Sequence, residues 1–139
     1  MRDIMNKLHL QPAFAPKAAV VDNTAQVSSV NDAKGFGSVV LAIVNGTNAD
    51  ADVTYTVLIE DSDDNAAFAA VADEYLNGTE ILAGFQFDDD GECRKIGYTG
   101  IRRYQRATIT PANNTGNVFL GGVWINGNPA RQATANPPA

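Results

Sequence analysis

One cysteine, Cys93, stands in 139 residues, so no intramolecular disulfide is possible and the fold cannot depend on oxidation. A lone thiol with no second cysteine fits a protein made in a reducing cytoplasm. One histidine, His9, lies in the proline-flanked stretch "LHLQPAFAP". A histidine-based triad or histidine-rich metal site would have to be built there, on a segment poorly suited to preorganisation. No G-x-S-x-G, phosphate-binding loop or G-x-G-x-x-G occurs, and "GYTGIRR" has neither the lysine nor the spacing of a phosphate loop. No run approaches the ~20 apolar residues of a membrane span. In "MRDIMNKLHLQPAFAP", Asp3, Asn6, Lys7 and His9 interrupt the apolar residues, so no signal peptide is expected.

Positive charge is also scarce. Ten Lys and Arg face sixteen Asp and Glu, for a net charge of −6. That balance argues against a nucleic-acid binder, because phosphate contacts need clustered cations. Paired carboxylates are plentiful but sit in turns, without the apolar setting that raises one pKa for acid–base work. Asp61, Asp63 and Asn65 begin a D-x-D-x-N calcium-loop pattern, which fails at Ala66 and Ala72. "DDDGE" (88–92) reads as a hairpin tip. No metal site, cofactor or catalytic residue is predicted. Asn45, Asn77 and Asn113 head Asn-x-Thr sequons that read as turn chemistry.

Strand patterns fill most of the chain. "FGSVVLAIVNG" (36–46) is nearly continuous and apolar, the signature of a strand buried on both faces. "DVTYTVLIED" (52–61) alternates, with Val53, Tyr55, Val57 and Ile59 on one side. The short polar link between these two runs predicts antiparallel neighbours. "NAAFAAVADEYL" (65–76) is the one place where a turn or two of helix is expected. Strands are also expected near Phe85, over about 102–110, and over 117–126. Seven to nine short strands with little helix predict an all-β fold: an antiparallel β-sandwich, Ig-like or jelly-roll-like. Pro12 and Pro16 make residues 1–17 an extended N-terminal arm. The sandwich is placed at 18–127 and a proline-rich C-terminal tail at 128–139.

Half of the cations fall in one stretch, "RKIGYTGIRRYQRATITP" (94–111): Arg94, Lys95, Arg102, Arg103 and Arg106. On a strand, Arg102, Tyr104, Arg106 and Thr108 share one face and Arg103, Gln105, Ala107 and Ile109 the other. Guanidinium groups take carboxylates bidentately and stack on rings. The ladder therefore meets the protein's own acidic loops, a partner's acidic surface or, against the net charge, a strand of nucleic acid. Leu8, Leu10 and Phe14 of the arm need something to pack on, such as another subunit. These three, with Arg102, Arg103 and Arg106, are the candidate partner-binding residues. Trp124 or Tyr104 could instead serve as a stacking platform for sugar, although a single Trp is more often core.

The segment "KIGYTGIRRYQRATITPANNTGNVFLGGV", with "VDNTAQVSSV", "FGSVVLAIVNGTNADADVTYTVLIEDSDDNAAFAAVAD" and the opening "MRDIMNKLHL", resembles small structural proteins encoded beside the major capsid protein in tailed bacteriophages. The resemblance runs from Met1 to about Val123. Gln105 departs from it, since an aliphatic residue is usual within "RRYxR", and Trp124 is individual to this chain. The resemblance implies a head decoration (cement) protein with no enzymatic activity. It would bind the major capsid protein from outside the shell, self-associate as a homotrimer, and touch neither nucleic acid nor membrane. Assembly would occur in the host cytoplasm. A head–tail connector or tail protein, and a carbohydrate-binding module for host attachment, are the alternatives.

Overall fold

The computed structural model describes residues 2–138. Eleven strands are present among them: β1 (His9–Phe14), β2 (Gln26–Val27), β3 (Asn31–Asp32), β4 (Phe36–Asn45), β5 (Thr54–Ser62), β6 (Ala69–Ala70), β7 (Leu76–Asn77), β8 (Phe85–Gln86), β9 (Cys93–Tyr98), β10 (Tyr104–Ala112) and β11 (Leu120–Pro129). One short helix, α1 (Glu80–Ala83), precedes β8. The first sheet runs β1-β11-β4-β9-β7. The second runs β2-β10-β5-β6, with β3 also on β10 and β8 also on β5. Every pairing between these strands is antiparallel. The all-β sandwich expected from the strand spacing is the fold observed.

Alternation builds the core. Tyr55, Val57 and Ile59 of β5 and Ala107 and Ile109 of β10 face inward from the second sheet. Val39, Leu41, Ile43, Ile96 and Trp124 face them from the first. Consecutive long strands cross between sheets, β4 to β5 and β9 to β10 to β11, which gives a jelly-roll-like winding. The expected pairing of 36–44 with 52–60 is thereby corrected. The polar link does not make a hairpin but carries the chain across the sandwich, and β4 pairs instead with β11 and β9.

The N-terminal arm also differs from expectation. Residues 9–14 are the edge strand of the first sheet, in register with β11 from His9↔Asn126 to Phe14↔Gly122, with an irregularity after Pro12. An edge is where a residue without an N–H fits a sheet. The sandwich therefore spans His9–Pro129, wider than 18–127. The flanking ends meet each other: the Thr134 N–H donates to the Asn6 carbonyl (3.2 Å), and its hydroxyl to the Leu8 carbonyl (2.6 Å). Met1 and Ala139, at the extremes of the expected arm and tail, lie outside the described residues.

The alanine-rich helix does not form. Asp64 accepts from the N–H groups of Ala66 and Ala67 (2.9 Å each), which locks a turn, and β6 then pairs with β5. The helical residues of this region are a 3₁₀ turn at Asp73–Tyr75 and α1 itself. In α1 the Thr79 hydroxyl caps the Leu82 N–H at 3.1 Å.

Candidate protein-interaction surfaces

The arginines of 94–106 meet the protein's own carboxylates. Arg106 Nε and Nη2 grip Glu60, its register partner across β10 and β5, at 2.7 and 3.1 Å. Arg103 grips Asp32 in the same bidentate way, at 2.8 and 2.7 Å. That hydrogen bonding, more than its charge, holds the Asp32 carboxyl below its ordinary range. Arg102 pairs with Asp61 (3.1 Å) and more loosely with Asp63 (3.6 Å). Arg94 pairs with Asp89 (3.1 Å) and with Glu92. Each guanidinium except that of Arg102 also lies over a ring: Arg103 on Tyr104, Arg106 on Phe68 and Arg94 on Phe85. The face assignment for Tyr104 to Ile109 is as expected, whereas Arg102 and Arg103 precede the strand.

Half-exposed pairs of this kind contribute about 1 kcal/mol or less each. Their effect is positional, because Arg103–Asp32 tethers the β9–β10 loop to β3 and Arg102–Asp61 tethers it to β5. The Tyr98 hydroxyl adds a third tie. It donates to Asp61 Oδ2 (2.8 Å) and accepts from the Arg102 N–H (3.1 Å). At the tip of this fixed loop is Ile101, fully exposed.

Burial, and then the hydrogen bond to Asp61, pushes the Tyr98 phenol up to about 12. Burial, and then the Asp50 and Asp90 charges, does the same to Tyr55. Both groups keep their protons in the folded state while the unfolded chain releases them near pH ~10. Their stabilisation is complete below pH ~10 and is lost as pH rises through 12. Melting temperatures measured from pH 8 to 12 should be flat and then fall beyond ~10. The fall should be shallower in Tyr98→Phe.

The other candidate residues are dispersed. Phe14 is buried in the protein's own core, 8% exposed, which corrects its expected role as a contact. Its aromatic bulk packs between the sheets once β1 joins β11. Leu8 is half-buried and lies over Gly127, where a Cβ would come 3.6 Å from its Cδ2. Leu10 points outward from the first sheet, 47% exposed. Trp124 is 1% exposed and donates to the Ser29 carbonyl (3.1 Å), so it is core and no sugar platform.

Sequence reasoning missed the exposed aliphatics. Ile81 and Leu82 of α1 are 89% and 72% exposed. Their turn is pinned by Glu80, which accepts from the Ile59 N–H (2.6 Å), and by Gly84, tight against the Tyr55 carbonyl. An aliphatic between Gly100 and an arginine, and two beside a Thr79 cap, were the available signals.

No protein-family model matches the chain, and no curated protein matches it by sequence. Among solved structures, the PBSX exported protein XepA is similar at 15% identity and TM-score 0.55, over 91% of this chain and 39% of that one. An N-terminal CBM22-1–GH10 segment of Clostridium thermocellum endo-1,4-beta-D-xylanase 10B is similar at 11% identity and TM-score 0.46, over 95% and 28%. The SPBc2 prophage-derived protein YomS is similar at 10% identity and TM-score 0.43, over 85% and 92%. The chain thus spans about two fifths of XepA, and what it shares with XepA is the β-sandwich fold.

Proposed function

We propose that this chain is a virion structural protein, and more finely a decoration protein that binds the outside of a tailed-phage head and clamps neighbouring major capsid subunits. The observation that carries this reading is the presence of two fixed apolar knobs. Ile101 projects at the Ser62–Tyr104 end of the second sheet, and Ile81 and Leu82 project from a helix anchored beside Tyr55. Along β5 the α1 anchors at Tyr55 and Ile59 lie seven and three residues from Ser62, about 23 and 10 Å. A clamp needs two separated contact points on one rigid body, and exposed aliphatics on pinned turns are suited to protein contact rather than solvent. The resemblance to capsid-adjacent proteins supports the same reading, and the β-sandwich fold shared with the PBSX exported protein XepA is compatible with it. Binding that favours the assembled shell over free subunits stabilises the shell by mass action.

The test uses expanded capsids that lack the protein. Ile101→Asp and the double variant Ile81→Asp/Leu82→Asp should each weaken co-sedimentation at least tenfold while melting like the parent. All three side chains are exposed, so the fold does not depend on them. Unchanged binding in both variants would remove the clamp reading. Of the candidate contacts, Arg102 and Arg103 act here by holding the Ile101 loop, so Arg102→Ala and Arg103→Ala should weaken binding by loosening that loop, whereas Arg106, inside β10 on Glu60, should matter less.

A further inference from the structure

β4 reads in sequence as a strand buried on both faces, yet the chain covers only one. The opposite face of the first sheet is open and apolar. Across it runs one cross-strand row, Leu10–Ile125–Val40–Gly97, and beside it a second, Pro12–Val123–Ala42–Lys95. Val44 and Val123 on this face are 44% and 39% exposed. None of the sixteen carboxylates falls in β1, β4, β9 or β11, and Lys95 is the one charge the two rows carry. Two copies with a charge of −6 repel elsewhere, but at this face they bring no carboxylates together. An apolar, nearly uncharged patch is the mark of a homo-oligomer interface more than of a transient one.

Shape selects the occupant. The first row has a knob at one end, Leu10, which is 47% exposed. At the other end Gly97 has no side chain, and a hollow of ≈ 540 Å³ lies there, lined by Gly37, Val40, Asn77, Lys95 and Gly97 among others. We propose that a second copy of this chain covers the face, the two first sheets packing back to back about a two-fold axis parallel to the strands. Aligned sheets stack ~10 Å apart. That axis, passing between β11 and β4, lays β1 of each copy over β9 of the other. Leu10 of each copy then enters the hollow over Gly97 of its partner. A knob and a hollow at opposite ends of one row are self-complementary under this operation, as an isologous contact requires. Four strands and about six residues give a face of roughly 15 by 20 Å. That is smaller than the ~800 Å² per partner of a standard interface, so the pair should form reversibly. The two-fold pairing differs from the trimer that the resemblance implies, and it is independent of the capsid reading.

Sedimentation equilibrium of the full chain over a wide concentration range tests it. The wild-type mass should rise reversibly from 14.7 kDa toward twice that value. Leu10→Asp should hold at one mass under the same conditions with its melting temperature little changed. Val123→Lys, away from the edge strand, should do the same. Val27→Asp, on an exposed position of the second sheet, should pair like wild type. A wild type that is monomeric throughout, a limiting mass of three chains, or pairing that survives both Leu10→Asp and Val123→Lys would overturn the proposal. Capsid binding retained by a monomeric Leu10→Asp would separate this face from the decoration contact. Capsid binding lost together with a monomeric wild type would assign the face to the capsid protein and overturn the pairing.

Discussion

Trp124→Ala is expected to lose about 3–5 kcal/mol of folding stability, the usual cost of emptying a buried aromatic site. The indole lies in β11 between its cross-strand partners Gln11 and Leu41, 1% exposed, near the middle of the first sheet. Removing it leaves a cavity at the centre of the sandwich and takes the donor from the Ser29 carbonyl. A domain of this size holds about 5–15 kcal/mol in total, so the variant should sit near the edge of folding at 37 °C. Trp124→Phe keeps much of the packing and loses only the N–H, which costs about 1–2 kcal/mol. Urea titration followed by circular dichroism distinguishes the two. A small loss in Trp124→Ala would mean that the ring contributes little to the core.

The second large effect concerns a set of buried amides. Asn31, Gln105 and Asn126 are fully buried. The Asn31 amide donates to Gln105 Oε1 (2.8 Å) and to Asn126 Oδ1 (3.0 Å), and Asn126 donates back to Asn31 Oδ1 (2.9 Å). Gln105 Nε2 ends the chain on the Arg102 carbonyl (2.7 Å). The network crosses the sandwich, since Asn126 belongs to the first sheet and the other two to the second. Asn126→Ala strands a donor and an acceptor on Asn31 and should cost about 2–4 kcal/mol, from unsatisfied amide groups plus a small cavity. Removing Asn31 as well should cost less than the sum, with a coupling of about 1–2 kcal/mol in a double-mutant cycle. Strict additivity would show that the two amides do not support one another. Gln105 also explains its departure from the resemblance: here the inward position of β10 is filled by an amide that has partners.

The sandwich was legible because β5 and β10 alternate cleanly, and alternation states which side of a strand is core without knowledge of its neighbours. Strand order was not legible. A polar link such as residues 46–52 can close a hairpin or cross between sheets, and distant pairings such as Leu120↔Asn45 decide which. The extended character that Pro12 and Pro16 predict for the arm is present at His9–Phe14, but its pairing with β11 as an edge strand, which tolerates Pro12, depends on a partner more than a hundred residues away. The expected helix gave way because Asp64 competes for the N–H groups of Ala66 and Ala67, which helix propensity does not register. Of the candidate site, the clustering of arginines was visible but their role was not. Whether a guanidinium meets Glu60 of its own chain or a partner's acid depends on the register Arg106↔Glu60, a contact between residues far apart in sequence. The apolar outer face was present in the sequence as the continuous run of β4, read as burial on both sides.

In the proposed function, the arginine cluster and the pinned α1 turn hold the projecting aliphatics in place for contact with capsid subunits. The most direct test of that account is co-sedimentation of the purified protein with expanded capsids lacking it, quantified as copies bound per particle. Saturation near the number of major capsid subunits, together with capsids that resist heat better once decorated, is the predicted result. Saturation at a few copies, or no binding at all, would contradict it.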